Sequence, residues 1–141
     1  MKEIKEKRNT LQKRIVSDVF CSMNNHPSAG MVYEAVNEKF PGISKATVYR
    51  LLAEAAEEGK ILRLKLTDAN DRYDITTKKH YHVVCRCCGA VADVDTQIDD
   101  LRMAENAVGC EGFLVEGCHV EFVGVCEECR NQKTYKTEKN I

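Results

Sequence analysis

Two Cys-x-x-Cys pairs are the residues of this chain best suited to metal chemistry. They are Cys85 with Cys88 and, after a domain-sized interval, Cys126 with Cys129. Each pair can hold one edge of a tetrahedron, so together they match the four-thiolate site of structural zinc. Disulfides are the alternative for the eight cysteines, but the charged N-terminus lacks the apolar core of a secretory signal. The sequence therefore predicts Zn²⁺ bound by these four thiolates in a reducing compartment.

A second, different metal ion is predicted by His80 and His82. The two histidines lie two positions apart, so on a strand both imidazoles leave the same face. Neutral imidazole is a common metal ligand, and this pair stands outside the cysteine motif. We expect the second ion to have a role distinct from that of the zinc.

The length allows one ordinary domain or two small ones, and the charge is divided unequally along the chain. The chain has 141 residues. Small domains bury too little apolar surface to be stable by packing alone, and a bound metal can supply the missing stability. Residues 1–65 carry 12 Lys and Arg against 8 Asp and Glu, whereas the remainder carries 9 against 14. The basic half is therefore the candidate for a polyanion partner. No apolar run reaches membrane-spanning length, so we expect a soluble cytoplasmic protein with no membrane partner.

Three helices are predicted in the basic half. An apolar stripe at a spacing of three to four residues indicates a helix from Leu11 to about Asn24. His26 precedes a proline and is expected in an extended connection. The second helix is capped by Ser28 and the third by Ser44. The predicted buried positions of these two helices are Ala29, Val32, Val36, Phe40, Val48, Leu51, Leu52 and Ala55.

A hairpin after the third helix completes a winged helix-turn-helix. Leu62, Leu64 and Leu66 alternate with polar residues, and a return strand follows the turn at residues 68–71. In such a fold the third helix enters the major groove and the hairpin lies along the phosphate backbone. The residues predicted to contact DNA are Ser44, Lys45, Thr47, Tyr49 and Arg50 on the helix and Lys65, Asn70 and Arg72 on the hairpin. A solvated face of a small helical bundle is the alternative for that helix alone.

The acidic half reads as a small α/β module. Strands are predicted at residues 80–85, 91–95 and 113–125, with a helix at 99–108. A sheet of so few strands has edges to cover, and reading two half-sites of duplex DNA requires two copies, so we expect a homodimer. The predicted class is α+β, with a winged-helix DNA-binding domain at 1–77 and a zinc-braced dimerisation and metal-sensing domain at 78–141.

These motifs closely resemble the ferric-uptake-regulator (Fur) superfamily of bacterial metal-responsive repressors. The resemblance covers nearly the whole chain and follows the family's order. It is carried by His26-Pro27-Ser28-Ala29, by Ser44-Lys45-Ala46-Thr47-Val48-Tyr49-Arg50-Leu51-Leu52, by His80-x-His82-x-x-Cys85-x-x-Cys88-Gly89 and by Cys126-x-x-Cys129. It implies a repressor that binds a pseudo-palindromic DNA operator as a homodimer and is not an enzyme.

The resemblance also implies the ligands of a regulatory Fe²⁺ or Mn²⁺ ion. Position by position, these are His26, Asp74, His80, His82 and Asp93. Acidic residues at positions 74 and 93 are similar to the peroxide-sensing (PerR-like) branch, in which the histidines at the positions of His26 and His80 are oxidised. Arg50, in contrast, is more similar to the iron-uptake branch.

Several functions remain open from the sequence. The serious rival within the family is an iron-uptake repressor that does not sense peroxide, with manganese or zinc regulators behind it. A mononuclear metalloenzyme that uses the same five residues, and a redox protein that works through Cys-x-x-Cys disulfides, are the alternatives from other classes.

Overall fold

The first of two compact units, Met1–Lys78, contains three helices and a hairpin. In the computed structural model the described residues are 1–132. The elements of this unit are α1 (Lys2–Cys21), α2 (Ala29–Lys39), α3 (Lys45–Glu57), β1 (Leu62–Leu64) and β2 (Arg72–Asp74). The strands pair antiparallel, with Arg63 opposite Tyr73. This order is that of a winged helix, as the sequence predicts.

Apolar stripes of the three helices meet in one core. Its buried side chains are Val16, Phe20, Ala29, Val32, Val36, Ile43, Val48, Leu51, Leu52 and Tyr73. Phe40, expected in this core, follows the last residue of α2 and is 40% exposed. Side-chain caps position both later helices, because Ser28 Oγ accepts from Met31 N and Ser44 Oγ accepts from Thr47 N, each at 3.2 Å.

Two boundaries in this unit differ from the predictions. Helix α1 begins at Lys2, nine residues before the predicted start at Leu11. Apolar periodicity reports the buried face of a helix, and residues 2–10 are exposed, so the pattern is silent there. The hairpin strands are only three residues long, and Ile75 lies beyond β2 with 54% exposure.

The second unit is Lys79–Ile141, and its described residues, 79–132, form a three-stranded sheet and two short helices. Its elements are β3 (Tyr81–Cys85), β4 (Val91–Val94), α4 (Asp100–Glu105), β5 (Phe122–Gly124) and α5 (Glu127–Asn131). Strand β3 is central, antiparallel to β4 and parallel to β5. The α+β class with its cysteine cluster is therefore confirmed. Residues 133–141 of the predicted second domain lie outside the described residues.

The largest difference from the predictions in this unit concerns the strand at 113–125. Only Phe122–Gly124 is a strand, and Phe113 and Leu114 are 81% and 85% exposed. Alternating apolar residues predict a strand, but a strand forms only where another strand pairs with its backbone. Within residues 1–132, no helix is both long enough and apolar enough to cross a bilayer.

Candidate metal centres and nucleic-acid interface

The four predicted zinc ligands lie together in the second unit. The Sγ atoms of Cys85, Cys88, Cys126 and Cys129 are all within 4.8 Å of one another. A tetrahedral ion with Zn–S bonds of about 2.3 Å places its sulfurs about 3.8 Å apart. The Cys88 and Cys126 Sγ atoms are 3.7 Å apart. The cluster therefore fits structural Zn²⁺ in both donor type and size.

Two local structures present these thiols. Residues 85–90 form a tight turn in which Gly89 N donates to Cys85 O at 2.8 Å and Gly89 has φ +74°. That left-handed conformation favours glycine, as the sequence predicts. After β5, Cys126 occupies the N-cap position of α5, and Cys129 lies within that helix. The single helical turn sets the spacing of this second pair.

Hydrogen bonding prepares one thiol for a cation. Burial raises the pKa of Cys85, but backbone N–H groups, first that of Cys126 and then those of the turn, lower that pKa to about 6. The Cys126 N–H donates to Cys85 Sγ at 3.3 Å. Contacts with the Cys126 and Cys88 side chains raise the pKa of Cys129. A thiol crowded like that of Cys129 loses its proton readily only when a metal ion binds in place of the proton.

The remaining cysteines lie outside this cluster. Cys21, Cys87 and Cys118 are exposed and Cys110 is half-buried. Cys118 Sγ donates to Asp100 O at 3.2 Å. Cys87 is the nearest in sequence to the ligands, but the cluster is formed by the other two cysteines of the turn.

The second unit also brings together three nitrogen and oxygen donors. His82 and Asp93 are directly paired across β3 and β4. Asp93 Oδ1 lies 3.2 Å from His80 Nε2 and 3.3 Å from His82 Nε2. The two imidazole rings have centroids 4.3 Å apart, so both leave the same face of the chain, as the two-residue spacing predicts.

The first unit holds a separate pair of donors. His26 Nε2 lies 3.2 Å from Asp74 Oδ2, and both side chains are largely buried. The other carboxylate oxygen of Asp74 accepts from Thr76 N at 2.8 Å. Asp74 ends β2, whereas His26 lies in the connection before α2. Chain folding therefore joins residues that are 48 positions apart.

The backbone of His26 differs from the prediction. It has φ +48°, in the left-handed region, where an extended conformation was expected. A residue other than glycine pays about 1–3 kcal/mol to adopt such a conformation, which persists only where surrounding contacts impose it. Tyr73 N donates to Pro27 O at 2.9 Å, and Ser28 forms an isolated antiparallel β-bridge with Arg72. These contacts bind the connection to β2.

The chemistry of the five donors fits Fe²⁺ or Mn²⁺. Three imidazoles and two carboxylates include no thiolate, which gives little special advantage to zinc. Bonds of about 2.1 Å place neighbouring ligands roughly 3.0 to 3.4 Å apart. The histidine–carboxylate distances of 3.2–3.3 Å within each unit agree with this range. His119 belongs to neither group, being exposed with Nε2 3.9 Å from Glu121 Oε2.

The outer face of α3 carries the predicted DNA-contacting groups. Tyr49 is 42% exposed, and Lys45 Nζ lies 5.6 Å from its ring centroid. Ser44 Oγ and Thr47 Oγ1 share a hydrogen bond of 2.9 Å at the helix start. Arg50 donates to Glu54 at 2.6 Å and to Asn9 of α1 at 3.2 Å. The arginine is thus held in place while remaining on the surface.

The hairpin distributes its predicted contacts differently. Lys65 and Asn70 are exposed. Asn70, Tyr49 and Arg63 line an open cleft of about 410 Å³ beside the start of α2. Arg63 was not among the predicted contacts, although its alternation with the half-buried Leu62 and Leu64 places it on the outer face. Arg72 is half-buried, and its guanidinium donates to His26 O at 3.1 Å.

Known proteins of similar sequence are regulators. The family model described as "Ferric uptake regulator family" matches residues 5–123. "Peroxide-responsive repressor PerR" of Staphylococcus epidermidis is 33% identical over 126 residues, covering 89% of this chain and 83% of that protein. "Peroxide operon regulator" of Bacillus subtilis is 33% identical over 129 residues, covering 91% of this chain and 88% of that protein.

A solved structure supports the same relationship. The Campylobacter jejuni peroxide stress regulator superimposes with a TM-score of 0.64 at 28% sequence identity, covering 92% of this chain and 96% of that one. The family match, the two relatives and the solved structure all indicate one family, and the two groups of metal ligands in this chain are consistent with it. The chain therefore belongs to the ferric uptake regulator family of metal-dependent transcriptional regulators.

Proposed function

We propose that this protein represses transcription when Fe²⁺ or Mn²⁺ is bound, and that peroxide relieves the repression through the iron form. The observation that carries the proposal is the thiolate-free donor set, with His26 and Asp74 in one unit and His80, His82 and Asp93 in the other. Acidic donors at 74 and 93 and the two peroxide-responsive relatives support the peroxide branch.

The donors come from both units, which gives the ion a regulatory role. One ion that takes all five would couple the winged helix to the second unit and restrain their relative orientation. Two copies can bind two half-sites together only if their recognition helices are about one helical turn apart. Metal and DNA then favour the same state, and each strengthens the other's binding by an equal factor, typically worth about 1–3 kcal/mol.

Peroxide would act on the ligands. Fe²⁺ held by these imidazoles would catalyse the transfer of one oxygen atom from hydrogen peroxide to a ring carbon of His26 or His80. The imidazole loses the two electrons that the peroxide gains, and the other peroxide oxygen leaves as water. An oxidised imidazole has lost the lone pair geometry of a good ligand. His26 and Asp74 would no longer be held to the other three donors, and the operator would be released.

The winged helix would read the operator through α3. Exposed Tyr49 and the fixed guanidinium of Arg50 have the donor groups that read base edges in a major groove. Lys65 and Asn70 would lie along the phosphates. Arg50→Ala should weaken operator binding by about 1–3 kcal/mol, whereas Arg102→Ala in α4 should leave it unchanged. Equal losses for both variants, measured by fluorescence anisotropy, would refute this interface.

We also propose a homodimer formed by the second unit. Its exposed apolar side chains support this, because Val108, Phe113, Leu114 and Val123 are 65–92% exposed. Strand β5 also lies at an edge of its sheet. Phe113→Glu should shift the sedimenting species toward monomer, whereas Leu11→Glu in α1 should not. A dimer of undiminished stability in the first variant would exclude this surface.

One experiment separates the proposed function from its rivals. Zinc-loaded protein is given Fe²⁺ or Mn²⁺, and operator binding is measured with and without hydrogen peroxide. Loss of binding with iron and peroxide, with an added oxygen on a peptide containing His26 or His80, is the expected result. Unchanged binding in both metal forms would identify an iron-uptake type of repressor. Operator binding that depends on thiol oxidation and not on His26 would favour a disulfide mechanism.

A further inference from the structure

The side chain of Arg72 contacts the connection that carries His26. Its Nη1 donates to the backbone carbonyl of His26 at 3.1 Å and lies 3.5 Å from Met31 Sδ on α2. The side chain is half-buried. An arginine that contacts phosphate needs its guanidinium free at the surface, whereas this one is directed into the connection before α2.

Arg72 and Asp74 both contact His26, one at its backbone and the other at its ring. Residues two apart on a strand leave the same face, so both side chains of β2 extend toward the connection. Arg72 contacts the carbonyl of His26, and Asp74 Oδ2 lies 3.2 Å from its imidazole Nε2. Between them, the Tyr73 N–H binds the carbonyl of Pro27 at 2.9 Å. One three-residue strand therefore holds both the backbone and the ring of His26.

The conformation of His26 makes such support necessary. Its φ of +48° is unfavourable for a residue with a side chain, and the following Pro27 is fully buried. A change of backbone at residue 26 would swing the imidazole away from Asp74. The guanidinium contact to the carbonyl opposes that change directly, because rotation of the peptide would break the hydrogen bond.

We propose that Arg72 is a positioning residue that holds the His26 imidazole in its metal-binding orientation, and that it does not contact the operator. As a metal-site role, this rests on the proposed function of His26 as a ligand. Its chemical basis is general, since groups that orient a metal ligand typically change metal affinity by about 10–100-fold when removed. The structure assigns this role to a residue that the wing position alone would give to a phosphate.

The test compares Arg72→Met with Arg63→Met in the full-length, zinc-loaded protein. Methionine keeps an unbranched, largely apolar stem and removes the donors and the charge. Arg63 is the matched control because it lies on the paired strand, carries the same charge and contacts Asp71 rather than residue 26. Mn²⁺ affinity is measured by calorimetry, and operator affinity is measured at saturating Mn²⁺ over a range of salt concentrations.

The expected result for Arg72→Met is a loss of Mn²⁺ affinity of about 10–100-fold. Operator affinity at saturating Mn²⁺ and its salt dependence should equal those of the unaltered protein, and zinc content should not change. Arg72→Lys keeps a donor near the carbonyl and should recover part of the affinity. Equal Mn²⁺ affinities for Arg72→Met and Arg63→Met would overturn the proposal. So would a salt slope reduced by about one charge in Arg72→Met, which marks a lost phosphate contact.

Two further measurements keep this outcome apart from that of the proposed function. His26→Ala tests the ligand, because unchanged Mn²⁺ affinity in that variant refutes the metal site itself. In the metal-free protein, the NMR signals of the His26 ring should shift in Arg72→Met and stay in place in Arg63→Met. Unmoved signals would overturn the positioning role whatever the metal result. If Arg72→Met fails to fold, the ring signals and Mn²⁺ affinity of Arg72→Lys decide the question.

Discussion

The two donor groups of this chain differ in how the fold assembles them. The cysteine cluster is built within the second unit from two short motifs, each on one tight turn or one helical turn. The histidines and carboxylates are divided between the units, two in the first and three in the second. A site closed within one unit suits a metal that stabilises structure. Under the proposed function, the donors divided between the units hold a metal whose binding is read out.

The two groups also differ in the chemistry of their donor atoms. Four thiolates would form a soft, closed shell that retains zinc. Backbone N–H groups, first that of Cys126 and then those of the turn, lower the pKa of Cys85 to about 6. Imidazoles and carboxylates bind Fe²⁺ and Mn²⁺ less selectively and exchange with the cellular supply. Under the proposed function, this chain separates a permanent metal from a sensed metal by the chemistry of the donors and by their placement in the two units.

Loss of a zinc ligand should have the largest effect. Cys88→Ser removes one of four thiolates, and structural zinc contributes about 10–16 kcal/mol in zinc-finger peptides. We expect less than one zinc per chain by mass spectrometry and loss of the folded second unit by circular dichroism. Cys87→Ser, one residue away and outside the cluster, should keep both. Full zinc content in Cys88→Ser would mean that Cys87 replaces the lost ligand.

Loss of a proposed sensing ligand should leave the fold intact. His82→Ala removes a buried imidazole at 3.3 Å from Asp93 Oδ1. We expect Mn²⁺ affinity to fall by more than about 100-fold, beyond the usual effect of a residue that only orients a ligand. Zinc content should remain at one per chain. His119→Ala is the matched control, because that histidine is exposed and outside the donor set. Zinc loss in His82→Ala would erase the distinction between the two groups.

The smallest expected effect concerns the number of protons that zinc displaces from the four thiols. The pKa of Cys85 is about 6 in the folded metal-free unit, below the roughly 8.5 of a free thiol. Thiolate formation at Cys85 therefore stabilises this fold fully above about pH 8.5, and the contribution is lost as pH falls toward 6. At pH 7.5, zinc binding should release about three protons rather than nearly four, because Cys85 is already ionised at that pH. The number is measured by calorimetry in buffers of different ionisation enthalpy. Release of nearly four protons would show that Cys85 is not held as a thiolate before zinc binds.

Most of the architecture could be predicted because its signals are local. The caps at Ser28 and Ser44, the buried positions of α2 and α3 and the glycine turn at Gly89 each depend on a few neighbouring residues. The start of α1 could not be predicted from periodicity, because its first turns bury nothing. The strand observed at Phe122–Gly124 is shorter than the one predicted at 113–125. Pairing between backbone groups decides where a strand exists, and an alternating pattern alone does not record that pairing.

The sequence by itself determined the donor types, the spacing of each cysteine pair and the common face of His80 and His82, since all three follow from side-chain chemistry and local repeat. Only the tertiary structure decided that His26 adopts a left-handed backbone, that Asp74 meets its imidazole, and that Arg72 holds its carbonyl. The physical reason is sequence distance. Contacts between residues about fifty positions apart depend on how the helices and hairpin pack, and no local pattern records that packing.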